Sequence, residues 1–280
     1  MATSPMPETL FRHALDHDEF RLAYQPIVDL RTRRQIGVEA LIRWPGADVG
    51  PDIFIPIAEQ IGLIREITQR VCDLAARDCR AVPTAISQLS INLSAADIQA
   101  ADTVDMLRAL QDTTGGRLRL SVELTERSLL DPERCGPVIK ALRAMDIQVV
   151  IDDFGTGYAN LQALLMLELD GIKIDRSLSQ RIGTSPAASL VIHHLCALAR
   201  ALGLSIVAEG VETETQAGLL YGQGIRRAQG WLFGHPQPIE HWAGMRRPAH
   251  SGRSTAPADP PFRIGGGADM PPGAFRRAAP

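Results

Sequence analysis

Between Phe20 and Phe233, short apolar, β-branched runs alternate with longer stretches of helical periodicity, and this alternation leaves the chain few folds. The runs are Leu22 to Leu30, Ile36 to Trp44, Leu89 to Leu93, Leu118 to Leu124, Val149 to Asp153, Gly171 to Asp175, Ser205 to Glu209 and Arg227 to Phe233. Helix-like segments lie between them, among them Phe54 to Arg80, Val104 to Asp112, Arg134 to Met145 and Ala187 to Leu202. Strand then helix, repeated, is the grammar of a parallel sheet. Eight strands in 280 residues predict an α/β fold, a modified (β/α)8 TIM-like barrel. One junction departs from the rule. Only Arg31 to Gln35 separate the first two runs, whereas a parallel crossover needs roughly a dozen residues, so the first strand pair is expected to be antiparallel.

The ends of the chain read differently. Residues 1–19 are expected to form an N-terminal helix or lead-in, and residues 20–247 the barrel. Pro248 to Pro280 holds seven prolines and five glycines, with apolar residues too scattered to cover a face, which predicts a disordered tail. The formal net charge of the chain is -3; without the tail's four arginines and two aspartates, 25 basic residues stand against 30 acidic ones. No basic stripe could track a phosphate backbone, which argues against general nucleic-acid binding. Cys72, Cys79, Cys135 and Cys196 show no CxxC spacing, so neither a zinc site nor a disulfide scaffold is expected, and a reducing cytoplasm fits. The first residues, MATSPMPETL, do not read as a secretory signal, and no uncharged run of about 18 apolar residues would cross a membrane.

The predicted strand ends carry unusual residues. Glu39 lies in the second run and Asn92 in the third; Glu123 lies near the end of the fourth and Glu126 just past it; Asp152 and Asp153 close the fifth. Lys173 and Asp175 alternate in the sixth, and Glu209 ends the seventh. In a barrel these ends converge on one mouth, where active sites sit. Carboxylates buried together need cations, and an all-oxygen donor set favours Mg²⁺ or Mn²⁺ over zinc or copper. Paired ions of this kind serve displacement at phosphorus. Any one of these acids taken alone could equally be a helix cap or a solvated first turn, and Lys173 could equally be a counter-ion to Asp152 or Asp153. Acids at so many successive strand ends favour the cluster. His193, His194 and His235 are assigned to no metal.

Taken together, these motifs resemble the EAL-domain family of cyclic di-GMP phosphodiesterases. The match runs from about Tyr24 to Pro238. It rests on Tyr24-Gln-Pro-Ile27, Glu39-Ala-Leu-Ile-Arg-Trp44, Phe54-Ile-Pro-Ile-Ala-Glu59, Ile91-Asn-Leu-Ser94, Glu123-Leu-Thr-Glu126, Asp152-Asp-Phe-Gly-Thr-Gly-Tyr158, Ile172-Lys-Ile-Asp-Arg176, Ala208-Glu-Gly-Val-Glu212 and Gln229-Gly-Trp-Leu-Phe-Gly-His-Pro236. The resemblance implies hydrolysis of cyclic di-GMP to linear pGpG by in-line attack of a metal-activated water, with two Mg²⁺ or Mn²⁺ ions. It implies metal ligation by Glu39, Asn92, Glu123, Asp152, Asp153 and Glu209, the two aspartates bridging. Lys173 would hold, and with a lowered pKa deprotonate, the nucleophilic water.

By the same resemblance Gln25, Leu41, Arg43, Asp175, Glu212, Gln229 and Pro236 would serve substrate binding. Arg43 and Gln25 would act at a phosphate, Glu212 and Pro236 on the guanine side, and Gln229 would orient water or a ligand. Glu126 is expected to anchor the loop Asp153 to Tyr158, which the resemblance also places at a homodimer contact. Trp231 in place of the commoner Tyr, Arg127 after Glu126, and Ala159-Asn160 depart from the family pattern without removing a ligand. A catalytically silent cyclic di-GMP receptor, or a protein-interaction module, is the alternative function; either typically requires erosion of the metal acids or of Glu39-Ala-Leu41, and none is eroded here.

Overall fold

The apolar runs form eight strands: β1 (Arg21–Asp29), β2 (Gln35–Arg43), β3 (Gln88–Leu93), β4 (Arg119–Thr125), β5 (Gln148–Phe154), β6 (Gly171–Ile174), β7 (Ser205–Ala208) and β8 (Arg227–Gln229). They close into one barrel in sequence order in a computed structural model that describes residues 6–47, 49–129, 131–155 and 161–243. The tail assigned to residues 248–280 lies outside the described residues. β1 runs antiparallel to both β2 and β8, and the remaining neighbours pair in parallel. The hairpin expected from the short Arg31 to Gln35 link is built on Asp29, whose Oδ1 accepts from the Thr32 backbone N–H and hydroxyl, both at 2.7 Å.

Side chains alternate across each strand, and the two faces differ sharply. Outward residues are apolar and buried: Val38 and Ala40 on β2, Leu120, Val122 and Leu124 on β4, Ile172 and Ile174 on β6. They pack under the helices α1 (Glu8–Asp16), α2 (Pro51–Gln60), α3 (Ile64–Asp78), α4 (Ala95–Ile98), α5 (Thr103–Thr114), α6 (Pro132–Ala144), α7 (Leu161–Met166), α8 (Arg176–Ser179), α9 (Pro186–Leu202), α10 (Glu214–Gly222) and α11 (Ile239–Ala243). In α3, Ile64, Ile67, Val71, Leu74 and Ala75 are buried at helical spacing. The apolar core is therefore the layer between strands and helices. The inward face carries the polar groups: Ser90 and Ser121 are fully buried inside the barrel, two residues before Asn92 on β3 and Glu123 on β4.

α1 belongs to this core. Phe11 is fully buried and meets Trp44 at 5.0 Å between ring centroids, and Phe20 and Phe54 complete the cluster. Two sequence expectations are refined. The stretch Phe54 to Arg80 is two helices rather than one, because the chain turns at Gly62 (φ 77) between α2 and α3. The run Arg227 to Phe233 is a strand only to Gln229. Beyond it Gly230 passes so close to the Val211 backbone that a Cβ would collide with it, and Val211 N–H donates to the Gln229 carbonyl at 3.1 Å.

Candidate active site at the C-terminal mouth

The strand register brings inward side chains from successive strands together at the C-terminal mouth. Gln25 on β1 lies opposite Glu39 on β2, Asn92 on β3 opposite Glu123 on β4, and Thr125 on β4 opposite Asp152 on β5. Lys173 on β6 stands at the centre, 1% exposed. Its Nζ is 2.6 Å from Glu123 Oε2, 2.7 Å from Glu209 Oε1, 3.2 Å from Glu39 Oε2 and 3.3 Å from Asp152 Oδ1. Four carboxylates from four places on the barrel thus share one ammonium.

Asp152 and Asp153 are neighbours in a strand and should point to opposite faces. A bulge prevents this. The β5–β6 register breaks between Ile151 and Phe154, and Asp153 takes a left-handed conformation, φ 54, which a short polar side chain tolerates better than most. The Asp153 N–H donates to Asp152 Oδ1 at 2.9 Å, and the chain bends so that both carboxylates reach the mouth. Ligand oxygens of Asp152, Asp153 and Glu209 then all lie within 4.8 Å of one another.

A second set of bonds fixes Glu39. Asn92 Nδ2 donates to its Oε1 at 2.8 Å, and Gln229 Nε2 donates to its Oε2 at 2.7 Å and to Gln25 Oε1 at 2.8 Å. Gln229 thereby ties β8 to β1 and β2. Its own Oε1 is buried and has no hydrogen-bond partner among the described residues, an unusual cost inside a protein.

The protonation states follow from burial and from these neighbours. Burial works to raise the Glu39 pKa, but Lys173 and the amides of Asn92 and Gln229 override it and hold the carboxyl below its usual range. Glu123 is pushed well up by burial and by the Glu39 charge, against Lys173. Burial, opposed by Lys173, lifts Glu209 to about 8. Burial and the charges of Asp152 and Asp175 lift Asp153 to about 6. For Lys173, burial opposes the charge, yet Asp152, Glu123, Glu209 and Glu39 together push its pKa well above the ordinary value. Its ammonium is thereby held as counter-ion to the four carboxylates.

The EAL domain profile matches residues 9–236. The chain belongs to the EAL domain family. Among its relatives, the probable cyclic di-GMP phosphodiesterase PdeG of Escherichia coli (strain K12) is 36% identical over 241 residues, 83% of this chain and 48% of that protein. The probable cyclic di-GMP phosphodiesterase PdeB of the same organism is 34% identical over 248 residues, 85% of this chain and 47% of its own length. This EAL domain spans about half the length of these curated relatives. Among solved structures, the PaMucR phosphodiesterase in complex with c-di-GMP superposes with a TM-score of 0.75 at 36% identity, over 82% of this chain and 97% of that one. The EAL enzyme Bd1971, in a form with cAMP and cyclic di-GMP bound, gives 0.78 at 30% identity over 84% and 67%.

The other expected site residues of the EAL domain are placed as follows. Leu41 and Arg43 share the inward face of β2 with Glu39, and the half-buried Arg43 guanidinium donates to the Ile42 carbonyl at 2.8 Å. Asp175 caps α8, accepting from the Ser177 N–H at 2.8 Å, and it also faces Asp153. Glu212 is held by Gln180 Nε2 at 2.9 Å, and Pro236 is half-buried in the loop after Gly234. The Glu126 side chain and residues 156–160, to which the loop anchor and the homodimer contact were assigned, lie outside the described residues. Beside the acid layer opens a cleft of about 180 Å³ whose lining includes Gln25, Arg176, Glu209, Glu212, Gln229 and Trp231. Arg176 and Trp231 were not among the expected site residues; an Arg directly after Lys-Ile-Asp175 and an aromatic directly past Gln229-Gly230 were the available signals. No helix among the described residues is long and apolar enough to cross a membrane.

Proposed function

We propose that this EAL domain hydrolyses cyclic di-GMP to linear pGpG with two divalent cations, Mg²⁺ or Mn²⁺, held by Glu39, Asn92, Glu123, Asp152, Asp153 and Glu209. The observation that carries the reading is the charge gathered at one mouth. Glu39, Glu123, Asp152, Asp153 and Glu209 supply five negative charges when ionised, Lys173 returns one, and two divalent cations match the remaining four. The residues fit such ions: every donor is a hard oxygen, the β5 bulge brings consecutive aspartates together, and Gln229 Oε1, beside Glu39, lacks a partner among the described residues. Bound there, the cations would lower the pKa of water and neutralise charge on the scissile phosphate.

The chain's own groups then have separate tasks. Lys173, an ammonium among carboxylates, donates to the attacking water and orients it. Gln229 and Asn92 lock Glu39 in one rotamer, so the acid layer needs little rearrangement during reaction. Arg43, with Leu41 on the same face of β2, meets a substrate phosphate, while Glu212 and Pro236 stand on the base side. Asp175 positions the start of α8 and keeps a negative charge near Asp153.

Titration of Mn²⁺ into chelator-treated protein, with occupancy and cyclic di-GMP hydrolysis read on the same samples, tests this. Two equivalents and turnover that rises with occupancy are expected. Turnover at full rate in chelator contradicts the assignment.

A further inference from the structure

The cleft beside the acids has two walls to which nothing above gives a task. Arg176 follows β6 and Trp231 follows β8, so the two flank the end of β7, where Glu209 sits. The backbone between them is tightly held. Gly210 takes φ 62, and a Cβ there would collide with the Arg176 side chain; Leu232 N–H donates to the Val211 carbonyl at 3.1 Å. Only glycine lets the β7 loop lie this close to Arg176.

Both walls carry unused binding capacity. Trp231 is 60% exposed, whereas Trp44 and Trp242 are 3% and 4% exposed. Its one ring neighbour is His235, tilted at 5.1 Å, among the described residues. The Arg176 guanidinium makes no ion pair or hydrogen bond among the described residues, whereas Arg33, Arg65, Arg70, Arg119 and Arg143 are each paired with a carboxylate. The one acid on the outer wall, Glu212, already accepts from Gln180. An open indole and a free guanidinium across a small cleft suit a planar heterocycle with acceptors on its edge. Aromatic stacking tolerates any base, whereas Arg recognises guanine through O6 and N7.

Resting on the reading of this site as a cyclic dinucleotide hydrolase, we propose that Trp231 stacks on the guanine next to the scissile phosphodiester and that Arg176 donates to the O6 and N7 edge of that base. Trp231 then sets affinity, and Arg176 sets the preference for guanine over adenine. Neither touches the reacting atoms.

The test uses the full chain loaded with Mn²⁺, cyclic di-GMP as substrate and cyclic di-AMP as competitor, with tryptophan emission recorded. In Trp231→Leu, KM for cyclic di-GMP should rise about tenfold or more with a smaller change in kcat, and ligand-induced quenching should vanish; Trp231→Phe should restore most of the affinity. In Arg176→Ala, the ratio of cyclic di-AMP inhibition constant to cyclic di-GMP KM should fall about tenfold. Unchanged KM and quenching in Trp231→Leu, or an unchanged ratio in Arg176→Ala, overturns the inference while the hydrolase reading stands. Wild-type protein that neither binds nor cleaves cyclic di-GMP removes that reading and this inference together. Both positions are exposed, and melting curves matching wild type confirm that the fold is intact.

Discussion

Replacing Lys173 by methionine keeps the length of the side chain and deletes the one cation that four carboxylates share. Lys173 is 1% exposed and sits 2.6 to 3.3 Å from Glu39, Glu123, Asp152 and Glu209. Removing one partner of a buried ion pair costs about 3–5 kcal/mol, because the other charge stays buried without compensation. Here Glu123 and Glu209 are already pushed toward protonation and would take up protons in the variant, so the lower end, about 3 kcal/mol, is expected. In a domain of this size 1 kcal/mol moves the melting temperature by roughly 2–4 °C, which gives a drop of about 6–12 °C in chelator. Divalent cations bound by the same acids restore positive charge, so the gap between variant and parent should shrink in Mg²⁺ or Mn²⁺. In loaded protein kcat should fall with KM little changed, since the group acts on water. Differential scanning calorimetry at pH 8, with and without metal, reads the first part. A melting temperature in chelator within about 1 °C of the parent would refute the claim that one ammonium holds these acids together.

Further outcomes follow from the same geometry. Glu39→Ala should abolish cyclic di-GMP hydrolysis, because it removes an acid that Asn92, Gln229 and Lys173 all position; parental turnover in a chromatographic assay would exclude it as a ligand. Metal-free protein should lose stability as pH rises from about 4.5 to 8. Over that window folded Glu209, with its pKa lifted from 4.5 to about 8, keeps a proton that the unfolded chain has released, so the unfolded state gains relative to the folded one; urea unfolding at pH 5, 6.5 and 8 would show the trend. Asp153→Gly should weaken Mn²⁺ affinity in calorimetry yet stabilise the metal-free fold by about 1 kcal/mol, as it relieves a left-handed conformation and a carboxyl set among other acids at once. A destabilised Asp153→Gly with parental Mn²⁺ affinity would count against the bulge as a metal-directed feature.

The fold was legible because outward and inward positions differ in kind. Val38, Ala40 and Ile42 mark the outer face of β2, and Glu39 and Arg43 mark the lumen, so the strand period could be read from Gly37 to Arg43. The antiparallel start followed from chain length alone, since Arg31 to Gln35 cannot hold a crossover. The acid layer was legible as well, because most of its members end or nearly end a strand; Glu39, at the centre of β2, is the exception. What stayed hidden depends on backbone conformation. Nothing in Val149 to Phe154 announces that Asp153 adopts φ 54, yet without that bulge Asp152 and Asp153 would face opposite ways. The break at Gly62 rests on a left-handed φ of 77, and the end of β8 on the close approach of Gly230 to the distant Val211 backbone, neither of which composition encodes. Lys173 was open between counter-ion and water ligand from sequence; its four short contacts appear only when β2, β4, β5, β6 and the end of β7 converge.

The central claim is that the acids around Lys173 form a two-cation phosphodiesterase centre. Incubation of purified protein with cyclic di-GMP in Mg²⁺, with nucleotides resolved by chromatography, tests it most directly. Conversion of each cyclic di-GMP to one pGpG, stopped by chelator and absent in Glu39→Ala, is the predicted result. Tight binding of cyclic di-GMP with no pGpG formed in Mg²⁺ or Mn²⁺ would contradict it.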